Sequence, residues 1–194
     1  MVKTTRCDWC GEDPLYVAYH DEEWGVPVKD PHALFERLML EGMQAGLSWY
    51  TVLKKRENMR RRFFGFDPAA LASRGPGRID SWLDDPGLIR HRGKLSALVG
   101  NAAAFLGMEN DFGPWLWSFV GDRPVQNRWR LREQVPSETD ASRAMSKGLK
   151  RAGFRFVGPT ICYAFMQSVG MVNDHLVTCH RHGLCGDLGR QWTL

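Results

Sequence analysis

The sequence predicts an all-α fold. Three observations carry the prediction. Apolar residues recur at helical spacing between about 30 and 170, period-two alternation is almost absent, and Asp, Ser, Pro and Gly stand where helices would start and stop. Asp30 can cap a first long helix with Pro31 in its first turn, and Leu34, Leu38, Glu41 and Ala45 then share one stripe. Ser48 can cap a second helix running through Val52, Leu53, Arg56, Arg60 and Phe63. Asp67-Pro68 starts a short helix to about Ser73. Asp85-Pro86 is expected to open a long helix through Phe105 and Leu106, with Gly93 placed to break it. Residues 114–120 read as a short apolar helix and 121–138 as a polar loop. A helix from Asp140 to Ala152 turns Met145 and Leu149 inward and Arg143, Lys147, Lys150 and Arg151 outward. Gly153 stops it, Pro159-Thr160 open another, and Gly170 stops that one. A last helical turn is expected near Asn173. The expected organisation is a single helical domain over 1–182, with an irregular arm at 1–29, paired helices over 140–170, and a tail at 183–194.

Composition narrows the class. At 194 residues the chain can bury a core of its own, and 43% apolar with 25% charged residues is the balance of a soluble globular protein. No apolar run reaches membrane-spanning length and no signal peptide is evident, so a cytoplasmic, monomeric protein with no membrane association is expected. The formal charge of +4 leaves a polyanionic partner open. Five cysteines, an odd number, argue against a disulfide framework and towards metal ligands or buried thiols. Several of the eight tryptophans, Trp9, Trp24 and Trp49 among them, lie near polar or Gly-rich turns, where aromatic rings serve as stacking platforms.

Two stretches carry chemistry. Glu41 sits on the core-facing stripe of its helix, where a carboxylate is costly unless something pairs with it. Gly42, Gly46, Leu47, Ser48 and Trp49 follow at once, so the helix ends in a pliable turn with Leu47 at its tip, beside a plausible slot for a flat, electron-poor ring. Between Lys150 and Thr160 the pattern is helix, Gly-bounded hairpin, helix. Gly158 lets the backbone approach a ligand closely, and the amides of the following helix start suit a phosphate beside Lys150, Arg151 and Arg155. Metal candidates come in two pairs. His175 and Cys179 are four apart, and Cys7 and His20 lie in the arm; Cys10, His180, His182 and Cys185 are rivals, and Cys7-x-x-Cys10 is another pairing. From these residues alone, the alternative function is a non-catalytic helix-hairpin-helix DNA-binding protein with a structural zinc.

Longer blocks carry a resemblance. Asp13-Pro14-Leu15-Tyr16-Val17-Ala18-Tyr19-His20-Asp21, Glu23-Trp24-Gly25-Val26-Pro27, Leu40-Glu41-Gly42, Gln44-Ala45-Gly46-Leu47-Ser48-Trp49, Lys54-Lys55-Arg56-Glu57, Ile89-Arg90-His91-Arg92-Gly93-Lys94, Gly153-Phe154-Arg155-Phe156-Val157-Gly158 and Val172-Asn173-Asp174-His175 resemble the type I 3-methyladenine DNA glycosylases, the Tag family of the helix-hairpin-helix glycosylase superfamily, over roughly residues 5–180. The resemblance implies a helix-hairpin-helix glycosylase fold and hydrolysis of the N-glycosidic bond of 3-methyladenine in alkylated double-stranded DNA. It implies one structural zinc on Cys7, His20, His175 and Cys179, joining arm to C-terminal helix, and no organic cofactor. It implies a base pocket with Glu41 as the catalytic and recognising acid, Tyr19 and Trp49 for stacking, and Trp9 and Trp24 close by. Leu47 would be the wedge at the lesion. The DNA-facing set is Leu47 and Gln44 at the turn with Gly153, Arg155, Gly158, Lys150 and Arg151 at the hairpin. No strand-nicking lyase step is expected, because Lys150 is on the solvent face. Asp174 is expected to be a helix-start residue beside His175, not a catalytic acid.

Overall fold

The computed structural model describes residues 4–194; the first three residues of the expected arm lie outside the described residues. The helices are α1 (Pro14–Ala18), α2 (Pro31–Gln44), α3 (Trp49–Arg62), α4 (Pro68–Arg74), α5 (Ile79–Leu83), α6 (Arg92–Leu106), α7 (Glu109–Ser118), α8 (Asp140–Arg151), α9 (Pro159–Ser168) and α10 (His180–Arg190). Two short strands, β1 (Val125–Gln126) and β2 (Val172–Asn173), pair in parallel, with Val125 opposite Val172 and Gln126 opposite Asn173. Among the described residues no helix is long and apolar enough to cross a membrane.

The central helix is α2. Its apolar stripe, Leu34, Leu38 and their neighbours, is wholly buried, and it packs on α3, α6, α7 and α9. Asp30 caps it by accepting from the Ala33 amide at 2.7 Å, and Ser48 caps α3 through the Thr51 amide at 3.2 Å. Each such cap contributes about 1 kcal/mol. At the other end of α2 the buried Lys94 of α6 donates its Nζ to Met43 O at 2.8 Å and Ala45 O at 2.5 Å, satisfying carbonyls that the helix end leaves open. Two turns further along α6, Asn101 exchanges bonds with the Arg155 backbone, at 2.8 Å to its amide and 3.0 Å to its carbonyl. One helix thus holds both the turn after α2 and the turn between α8 and α9.

Five expectations are corrected. The arm is partly helical: α1 continues into a wide π-type turn over Tyr19–Glu23, with Asp13 capping α1. The helix expected from Asp85 opens only at Arg92, where His91 Nδ1 accepts from the Lys94 amide at 3.2 Å, and Gly93 sits unbroken in its first turn. The helix expected at Pro114 begins at Glu109 and carries Pro114 inside it. The turn near Asn173 is strand β2, its side chain tied to Gln126 Oε1 at 2.9 Å. The tail past 182 lies largely within α10, whose Cys185 and Gly186 are buried.

Candidate active site and metal cluster

A cavity of about 350 Å³ opens between α2, the α1 region, the 121–138 loop and the start of α3, within the range of small-molecule sites. Trp9, Tyr19, Trp24, Glu41, Gln44 and Trp49 all line it, so the expected pocket residues do meet. α2 carries Glu41 inward one turn before its end, and Ser48 starts α3 so that Trp49 is its first residue. The π-type turn puts Tyr19 into the cavity and the next residue, His20, into the metal cluster.

Among the described residues no cation forms an ion pair with Glu41. Glu41 is 2% exposed and its Oε2 has no hydrogen-bond partner there. Arg37, one turn earlier, is committed to Glu23, which Arg56 also grips at 2.7 and 2.8 Å. Burial pushes the Glu41 carboxyl up to about 8, against the pull of Arg37 and of a hydrogen bond with Ser168. Trp49 Nε1 is a second buried orphan, a donor. The cavity therefore offers one unmet acceptor and one unmet donor within aromatic walls. Tyr19 and Trp49 touch, with ring centroids 5.2 Å apart and planes at 43°. A base therefore cannot lie between them, and they form one wall. Tyr16, 5.1 Å from Trp9, belongs to the lining as well. Burial raises the pKa of Tyr19, and Glu41 adds to it.

Asp174 also lines the cavity. It starts no helix; it is 2% exposed and takes four donors. Asn127 Nδ2 (2.7 Å) and Trp129 Nε1 (2.8 Å) reach Oδ1, and Tyr163 Oη (2.6 Å) and Gln167 Nε2 (2.8 Å) reach Oδ2. Tyr16, Arg132 and Gln167 were not anticipated, since no local pattern marks them.

At the turn after α2, Gly46 has φ +75° and Leu47 is 42% exposed. At the α8–α9 turn Gly153 has φ +94°, and Phe156 is held at φ +57°, a conformation that costs a non-glycine residue on the order of 1 kcal/mol or more. A side chain added at Gly158 would point into open space, so a ligand can come close to the backbone there. Lys150, Arg151 and Arg155 are exposed.

Cys7, His20, His175 and Cys179 are buried together, one ligand atom from each lying within 4.8 Å of the others, and the group could hold a metal ion. Cys179 Sγ is 3.5 Å from both His20 Nε2 and His175 Nδ1. The outer ring nitrogens are occupied. His175 Nε2 donates to Trp24 O at 3.0 Å, and His20 Nδ1 donates to Asp21 at 2.7 Å, so each ring turns its remaining nitrogen inward. Burial lowers the His175 pKa, favouring the neutral ring a metal requires. The Cys7 thiol is pushed up, first by its contact with Cys179 and then by burial, and the same contact draws Cys179 down. Of the rivals, Cys10 bonds to Cys7 O, His182 to Asn127 O, Cys185 packs against Arg181, and His180 faces Thr5 O.

A family model described as methyladenine glycosylase matches residues 9–182, and the chain belongs to that family. It is 52% identical to DNA-3-methyladenine glycosylase 1 of Escherichia coli (strain K12), covering 90% of this chain and 95% of that one. A crystal structure of 3-methyladenine DNA glycosylase I (TAG) superposes with a TM-score of 0.89 at 51% identity, over 91% of this chain and 98% of that one. A Staphylococcus aureus 3-methyladenine DNA glycosylase I, solved to explain its recognition of 3-methyladenine, superposes at 0.86 with 36% identity, over 90% and 95%.

Proposed function

We propose that the protein is a monofunctional base-excision repair enzyme that hydrolyses the N-glycosidic bond of 3-methyladenine in alkylated duplex DNA. The observation that carries this is the buried Glu41 carboxyl in an aromatic cavity, its Oε2 unmet and no cation paired with it among the described residues, with the Trp49 Nε1 donor also unmet. N3-methylation places a delocalised positive charge on the base. When the bond from N9 to the sugar breaks, its electron pair neutralises that charge, so the leaving base needs no added proton. The sugar is left oxocarbenium-like and takes up water, which loses a proton to solvent. The product is an abasic site. The protein's tasks are to extrude the nucleotide and to recognise a cationic ring.

Glu41 opposes the charge and accepts from the base edge. At ~4 Å and an effective dielectric of ~20 the attraction is about 4 kcal/mol before desolvation. Neutral adenine forfeits it. An aromatic face adds a cation–π contribution of ~1–2 kcal/mol when desolvated. Because Tyr19 and Trp49 already touch, the base stacks on their common wall.

Leu47 is assigned as the wedge left in the duplex when the base is extruded, with Gln44 beside it. The α8–α9 pair is assigned as a helix-hairpin-helix in which the Gly153–Gly158 turn, Lys150, Arg151 and Arg155 take the phosphate backbone. Lys150 is exposed and outside the cavity, which supports hydrolysis without strand nicking. The metal is assigned as zinc: two thiols and two imidazoles suit its tetrahedral preference. Bound there, it would tie the arm to the residues preceding α10 and supply cross-linking. Held by four protein ligands, it would have no open position for reactive water. The protein is assigned to the cytoplasm as a monomer.

The function is tested by incubating N-methylated duplex with the protein and separating released bases. Free 3-methyladenine with intact strands is expected; strand scission without base release contradicts the assignment. The metal is tested by elemental analysis. One zinc per chain, lost in His175→Ala, is expected, and a folded, zinc-free protein from zinc-replete medium contradicts it.

A further inference from the structure

Many of the arginines are committed to acids: Arg6 to Asp21, Arg37 and Arg56 to Glu23, Arg60 to Glu36, Arg62 to Asp85 and Arg143 to Glu138. The 121–138 loop is different. From 123 to 132 it carries Arg123, Arg128, Arg130 and Arg132 and no acid. The last three are exposed, and their side chains make no ion pair or hydrogen bond among the described residues.

Their backbone is nonetheless pinned. Trp129 O accepts from the Val177 amide at 2.9 Å, and Trp129 Nε1 donates to Asp174 at 2.8 Å. The Arg130 and Leu131 amides both donate to Gln134 Oε1, at 2.7 and 3.0 Å. The segment is thereby fastened to a carboxyl in the cavity wall, and Arg132, Val135 and Pro136 line the same cavity as Glu41 and Trp49. Between Arg130 and Arg132, Leu131 is 60% exposed, and nothing among the described residues covers it. A row of unpaired guanidinium groups on fixed backbone, at the edge of a base-sized hole, fits a polyphosphate strand. The Asp174 and Gln134 contacts already order the backbone, so only the side chains remain to be ordered on binding.

We propose that Arg128, Arg130 and Arg132 form a rim that binds DNA phosphates beside the extruded nucleotide, a contact surface separate from the Leu47 turn and the α8–α9 hairpin. The proposal rests on the glycosylase function above. Arginine suits the task because its planar fork engages phosphate oxygens two at a time. Each phosphate neutralised releases counterions, so the contact registers in the salt dependence of binding.

The test compares two double variants of equal charge. Arg128→Gln with Arg130→Gln alters the rim while sparing Arg132, whose place in the cavity lining would mix two effects. Arg61→Gln with Arg78→Gln removes the same charge at the end of α3 and just before α5. Binding of each to a duplex holding a stable abasic-site analogue is measured from 50 to 200 mM salt, and KM is measured on methylated duplex. The rim variant is expected to lower the slope of log affinity against log salt by up to about 1.8, two contacts at about 0.9 each, and to raise KM about tenfold. The control pair is expected to change the slope by less than a third of that. An unchanged slope in the rim variant overturns the proposal, and so does an equal change in both pairs, which would mean net charge alone. If the parent binds duplex but releases no base, the glycosylase function fails, and the slopes still decide whether the rim holds DNA.

Discussion

Glu41 and Asp174 line one cavity, and both are 2% exposed, yet their surroundings are opposite. Asp174 has a donor at every turn: an amide and an indole on one oxygen, a phenol and an amide on the other. Those donors come from the 121–138 loop and from α9, so the carboxyl knits two parts of the chain together and is full. Glu41 lies on the most buried helix, its nearest cation is bound to another acid, and one of its oxygens has no partner. A saturated buried carboxyl is architecture, because no acceptor capacity remains for a ligand. An open one is a cost to the empty protein that a cationic ligand can relieve. Burial depth alone would not have told them apart.

The largest effect that tests this contrast is on activity. Glu41→Gln keeps shape and removes charge; at pH above 8 it is expected to lower kcat/KM on methylated duplex about 1000-fold, the equivalent of about 4 kcal/mol. The same change is expected to leave Tm unchanged or raise it, since it removes a buried acid that no cation neutralises. Asp174→Asn is the reverse case. It turns an amide donor towards four donors already in place and is expected to cost about 3 kcal/mol, a fall in Tm of roughly 6–12 °C for a chain of this size. Calorimetry on the two variants checks both. A Tm loss in Glu41→Gln larger than that in Asp174→Asn would erase the distinction.

How far the sequence reveals all this depends on where each determinant lies. Asp30, Ser48 and Gly153 act on backbone within a few residues, and the helix boundaries they mark are legible. Spacing places Glu41 on the buried stripe, but it does not show that Arg37 is taken by Glu23 and leaves the acid without a paired cation. The start of α6 was obscured because His91 is an unusual cap and Asp85-Pro86 a more familiar one. Helix α10 was hidden by Gly183, Gly186 and Gly189, residues that disfavour helix by about 1 kcal/mol each. Packing bears on one of them: a Cβ on Gly189 would fall 2.5 Å from the Gln126 side-chain amide and 3.2 Å from Pro124, so any larger residue there would displace the end of the Gln126 side chain and crowd Pro124. Cysteine and histidine types mark candidate metal ligands, but which four meet depends on the arm folding against residues more than 150 positions away. Asp174 looked like a helix start because its donors Asn127 and Trp129 are distant in the chain.

The central claim is that the charge on Glu41 distinguishes a cationic purine from a neutral one, and the pH dependence of kcat/KM tests it most directly. Burial raises this acid, so it is protonated in the empty cavity below about 8 and must lose that proton to oppose the base. Because kcat/KM reports the free enzyme, the parent should gain activity with rising pH through a limb centred near 8. It should be about tenfold below its plateau at pH 7, one unit under that value. Glu41→Gln should be flat across the same range, at the low level. The same limb in both proteins would contradict the account, because the titrating group would then lie elsewhere.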